Sequence, residues 1–145
     1  MKQAIAAITL LVWAGACHAE GWSTPAKGTA VRDALMDALR PHAEWMLGKP
    51  VEFVVTDLRL AGAVAFAKVE PQRPGGGQID PARTPMAARG EFEPDYFDGM
   101  HMEALFQKSG ETWVAVHWRI GATDVWYAWD ELCRDFRAVI PEVCP

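Results

Sequence analysis

Glu111–Trp129 reads ETWVAVHWRIGATDVWYAW and holds four of the chain's seven tryptophans. Its first part, Thr112–Ile120, is rich in β-branched and aromatic residues and predicts a strand. Gly121-Ala122-Thr123-Asp124 interrupts the pattern. Upstream, Asp98-Gly99 marks a turn into His101–Lys108, HMEALFQK, and Ser109-Gly110-Glu111 reads as a hairpin loop. A three-residue loop sets Lys108 opposite Thr112, Met102 opposite Trp118, Ala104 opposite Val116 and Phe106 opposite Val114. It also sets His101 opposite Arg119, Glu103 opposite His117, Leu105 opposite Ala115 and Gln107 opposite Trp113. One face is then wholly apolar and the other largely polar. A slip of one residue mixes the two, which selects this register.

The polar face collects His101, Glu103, His117 and Arg119, with Trp113 beside them as a partly exposed indole. Two histidines, a carboxylate and a guanidinium suit an acid/base or anion-binding site, with a Glu103–His117 pair tuning a proton. The same residues also suit a solvated face with cross-strand pairs worth about 0.2–1 kcal/mol each. A zinc site from His101, Glu103 and His117 is geometrically possible on this face. There is no HExxH or paired-cysteine motif, so no metal or cofactor is expected. No GxSxG or other nucleophile motif is present.

Beyond Gly121, Thr123 or Asp124 reads as a helix cap. Val125, Trp129, Leu132/Cys133 and Phe136 then follow at helical spacing, and Pro141 ends the segment. Cys133 and Cys144 are expected to pair as a disulfide, worth roughly 3 kcal/mol in the chain-entropy account.

Toward the N-terminus, Val31, Leu35 and Leu39 recur at i, i+4, i+8 and predict an amphipathic helix. Thr24-Pro25 is its expected start, Pro41 a break or kink, Gly48 a C-cap and Pro50 a stop. Val51–Leu60 reads as a central strand, Ala61-Gly62 as a tight turn and Ala63–Glu70 as a partner strand. Residues 71–98 are rich in proline and glycine and predict a long loop, a plain connection or else a flexible flap bearing Arg73 and Asp80. Pro71–Asp80, PQRPGGGQID, lacks the GK[ST] ending of a phosphate loop.

The expected fold is therefore α+β: an N-terminal helix packed on a curved antiparallel sheet of about four strands, with a short C-terminal helix. This order of elements resembles the cystatin-like and nuclear-transport-factor-like arrangement. The resemblance lies in element order alone, with no shared motif, and implies no activity.

The first residues read as an address. Met1-Lys2-Gln3 carries a positive charge, Ala4–Val12 is a short apolar run, and Cys17-His18-Ala19 ends in small residues. Residues 1–19 are expected to be a secretory signal peptide and residues 20–145 a single domain, periplasmic or secreted in a bacterium. Ala14-Gly15-Ala16-Cys17 competes as a lipoprotein site with a lipid anchor at Cys17, although Ala14 stands where leucine is usual. Nothing later is apolar enough for a transmembrane segment. Without Lys2, 13 basic side chains face 19 acidic ones, a net of −6 that disfavours nucleic acid. Small size, an export signal, a stapled C-terminus, a long loop and no catalytic motif suggest a non-enzymatic binding domain of the envelope. An inhibitor or accessory protein acting on an envelope protein or small ligand is one version. The alternative is a small enzyme or ligand-cavity protein using the His101/Glu103/His117/Arg119 face, with Arg73 and Trp113 as further contacts.

Overall fold

A computed structural model describes residues 21–145. The signal-peptide and lipid-anchor expectations fall outside the described residues. The elements are α1 (Ala30–Leu47), β1 (Glu52–Ala61), β2 (Val64–Gln72), the single turn α2 (Pro85–Ala88), β3 (Met102–Ser109), β4 (Thr112–Ile120) and α3 (Asp130–Phe136). The four strands form one antiparallel meander in the order β1-β2-β3-β4. The α+β architecture expected from the sequence is the one found, with α1 on one sheet face and the short C-terminal helix on the other.

Helix α1 buries Leu35, Met36, Leu39, Ala43 and Leu47. It starts at Ala30, later than Thr24-Pro25 suggested. The preceding residues instead lie along the sheet edge, where Ser23 and Leu60 exchange two backbone hydrogen bonds of 2.8 Å. Pro41 sits inside the helix without ending it, because Ala43 and Leu47 continue the buried stripe beyond it. Gly48 caps it with φ 77°, its N–H donating to the Glu44 carbonyl.

Both hairpins turn on two residues, Gly62-Ala63 and Gly110-Glu111, with the glycine at φ 58° and 59°. Glycine with positive φ in the first turn position fits the II′ class that matches strand twist. The second turn is one residue shorter than the expected Ser109-Gly110-Glu111 loop. Ser109 therefore faces Thr112, and Phe106 faces Ala115. Val116 is then an extra residue, and beyond it Leu105 faces His117, Ala104 faces Trp118 and Glu103 faces Arg119.

This bulge corrects the expected faces. Trp113 and Ala115 point into the α1 core, while Val114 and Val116 are 41% and 37% exposed. Past the bulge, Trp118 and Ile120 rejoin the α1 side. β1 does the same with Thr56: Phe53 and Val55 before it and Leu58 and Leu60 after it all serve the α1 core. β1 is an edge strand, not the central strand expected. Each edge strand thus carries one bulge that keeps a single face apolar.

The 71–98 region is more ordered than a flap. β2 continues through Pro71 and Gln72. Arg73 and Gly77 then close a turn by the Arg73 N–H donating to the Gly77 carbonyl at 2.7 Å. Asp80 and Thr84 cap short turns through Ala82 N and Ala87 N. Met86 and Ile79 join the α1 core, and Phe92 meets Phe97 edge-to-face at 5.0 Å. Gly121 allows this packing: its φ is 61°, and a Cβ there would lie 2.5 Å from the Phe97 ring.

The second sheet face is covered by the C-terminal segment. Phe66 and Leu105 pack there with Trp126, Cys133, Phe136, Val139, Ile140 and Cys144. Cys133 and Cys144 form the expected disulfide. Asp124 caps no long helix: a 3-10 turn spans Trp126–Ala128, and α3 begins only at Asp130. Arg59 clamps this cover to β1, donating to the Val139 carbonyl at 3.1 Å and to Glu142 and Asp57 at 2.6 Å. Burial would lower its pKa, but Asp57 and Glu142 more than offset that and hold it above its ordinary value.

Candidate functional site

Across the second face runs a row of alternating charge, Asp57, Lys68, Glu103 and Arg119, one residue from each strand. Glu103 is its centre and is 4% exposed. Its Oε1 lies 3.3 Å from Lys68 Nζ and 3.2 Å from His101 Nε2. Its Oε2 is buried with no hydrogen-bond partner, and so is Trp126 Nε1. A buried carboxylate needs such partners, because desolvation disfavours its charge. The Tyr127 phenol close by is held above the ordinary tyrosine range, first by burial and then by the negative charge of Glu103.

His101, Glu103 and Arg119 thus share one end of the second face, but the expected Glu103–His117 pair does not form. His117 stands opposite Leu105, one row away, and its ring meets Phe136 edge-to-face at 6.2 Å. The two-residue turn and the Val116 bulge each shift the register by one residue, which moves Glu103 from His117 to Arg119. Glu103 takes its imidazole neighbour instead from His101, just before β3. No group of three metal-ligating side chains occurs among the described residues.

Two candidates fall away from the site. Trp113 is 8% exposed in the opposite core. Arg73 caps the C-terminus of α1, donating to the carbonyls of Leu47, Gly48 and Pro50. Those three carbonyls occupy a guanidinium that the sequence offered to a ligand.

Between β4 and the C-terminal cover lies a groove of about 590 Å³. β4 contributes His117 and Arg119, and the cover contributes Asp124, Trp126, Trp129, Glu131 and Leu132. Trp126 is buried beneath the Arg119 guanidinium, which lies 5.6 Å from its ring centre. Trp129 is 63% exposed on the rim. Lys68 is not among the residues that the sequence singled out. The β2–β3 register that brings Lys68 to Glu103 has no turn residue to announce it.

Trp118 shows the other use of an indole here, stacking at 5.1 Å on His42 of α1. No protein-family profile, curated protein or solved structure matches the chain.

Proposed function

We propose that the protein is an exported, non-enzymatic binding domain of the bacterial envelope that seats its ligand or partner in the groove between β4 and the C-terminal cover. The observation that carries this reading is the groove itself. It has a volume usual for small-ligand sites, roughly 300–1,000 Å³, and it joins an exposed indole to charged groups of both signs. The disulfide is compatible with an oxidising compartment. No helix among the described residues is long and apolar enough to cross a membrane. An inhibitor or accessory role toward an envelope protein is one form this binding takes.

The test is retention from a periplasmic extract by immobilised protein, with Trp129→Ala alongside. A component held by the native protein and lost by the variant supports the groove as the seat. Equal retention by both removes the groove from the function. A second reading, a small enzyme on the His101/Glu103 face, is favoured by one observation: Glu103 is a buried carboxylate with a histidine at 3.2 Å. Turnover of a cell-wall substrate that is lost in Glu103→Gln would establish that reading instead.

A further inference from the structure

We infer that the groove takes a neutral, hydroxyl-rich ring, the face of a pyranose in a short oligosaccharide, with Trp129 as its stacking platform. The inference rests on the binding-domain reading above and gives it a ligand class.

The charges argue first. Arg119 forms no ion pair among the described residues, and its one hydrogen bond runs from Nη1 to the Trp118 carbonyl at 2.9 Å. Asp124 and Glu131 likewise carry no ion pair or side-chain hydrogen bond among the described residues, and both are exposed on the groove wall. An anionic ligand that reaches Arg119 therefore meets two carboxylates. A cationic ligand drawn to those carboxylates meets Arg119, which already covers the Trp126 face that a cation would seek. Neither sign of charge is satisfied throughout the groove. A hydroxyl is, because one oxygen accepts from a guanidinium and donates to a carboxylate.

The indole argues second. Trp129 presents most of its surface to solvent on the rim, as Trp45 does elsewhere on the molecule, but only Trp129 lies beside this groove. A sugar ring offers an apolar C–H face to a flat indole and a rim of hydroxyls to the polar wall around it. The groove offers the same division, with an indole rim beside unpaired donors and acceptors. A purely apolar ligand would leave Asp124, Glu131 and Arg119 with poorer solvation and no new partner.

The experiment titrates the oxidised protein with maltotriose, cellotriose and tri-N-acetylchitotriose, following tryptophan fluorescence and saturation-transfer NMR. A trigalacturonate, choline and trialanine serve as charged and peptide probes. At least one neutral trisaccharide is expected to bind saturably. Trp129→Ala should weaken it roughly tenfold, and Asp124→Asn should weaken it measurably. Thermal melts check that both variants keep the native fold, which their exposed positions favour. If no neutral trisaccharide saturates, or if binding is indifferent to Trp129→Ala, the inference is overturned. If only a charged probe or the peptide binds in a Trp129-dependent manner, the sugar assignment falls and the binding-domain reading stands. If neither a probe nor an extract component depends on Trp129, both fall together.

Discussion

Glu103 is the residue on which the second face turns. Its carboxylate is buried, and its contacts are the Lys68 ammonium, whose side chain is half exposed, and the His101 ring. Lys68→Met removes the fixed charge and leaves Glu103 with the histidine alone. A loss of about 1–3 kcal/mol is expected, since a buried charged group left short of partners bears its own desolvation. Adding Glu103→Gln to Lys68→Met should recover part of that loss, because the uncompensated charge is gone. Urea denaturation of the four members of this double-mutant cycle checks it. Tyr127 makes the neighbouring case for pH. Burial and the Glu103 charge raise its folded pKa above the ordinary value. The unfolded chain therefore gives up this proton first as pH rises. The contribution of Tyr127 to stability is complete below about pH 10 and declines as pH climbs toward the folded pKa. The native protein should lose more stability between pH 9 and pH 11 than Tyr127→Phe does, read from urea midpoints at each pH.

At the scale of elements, the deciding devices are two bulges. Val116 lets Trp113 and Ala115 share a face with Trp118 and Ile120, although the two pairs differ in parity. Deleting Val116 would make Ala115 and His117 adjacent and restore an unbroken ladder in which Trp113, Ala115, Trp118 and Ile120 all keep the α1 face. His117 and Arg119 would stay on the second face. The deletion should therefore keep cooperative thermal unfolding, as should Val116→Thr, which keeps the extra residue and its exposure. Circular dichroism melts of the two variants check this, and loss of cooperativity in the deletion alone would mean that the bulge does more than correct parity. The bulges also sit on β1 and β4, the two edges, where irregular strands resist pairing with other chains. β1 is further covered by the Ser23–Leu60 bridge.

At the scale of the whole molecule, the sheet is a shared wall between two cores. α1 and the 71–98 region fill one side, and the C-terminal segment fills the other. The second core is the smaller, and it is held by the Cys133–Cys144 bond and the Arg59 clamp. The bond spans 11 residues. Reducing it, or replacing both cysteines by serine, should cost about 3 kcal/mol by the chain-entropy estimate. The loss should be concentrated in the cover and leave α1 protected. Hydrogen exchange with and without reductant measures this directly. Exchange accelerated first in Val139–Val143 is the expected result, and uniform acceleration would mean that the two sides unfold as one unit.

How far each feature was legible follows from the range of the signal. Val31, Leu35 and Leu39 announce α1 by spacing alone, and Gly48 announces its end, because those contacts lie within a few turns of one helix. Both hairpins were visible for the same reason, each strand pair being joined by a glycine turn. Cys133 and Cys144 were the only cysteines beyond residue 19, so their pairing needed no geometry. Local chemistry failed where a distant partner decided. Trp113 was assigned to the polar face because a single parity was carried through β4. Arg73 was offered to a ligand because nothing near it in sequence shows the α1 carbonyls it caps. Proline and glycine in residues 71–98 marked the absence of long strands, but not the burial of Ile79 and Met86.

The sequence alone determined the element order and the two hairpins, since period and turn chemistry are properties of neighbouring residues. Tertiary structure decided the bulges at Thr56 and Val116, the salt-bridged burial of Glu103 and the groove between β4 and the cover. These depend on which strand edge meets which helix, and their energies arise from packing between residues far apart in the chain. A one-residue slip costs nothing locally, yet it exchanges the two faces of the sheet.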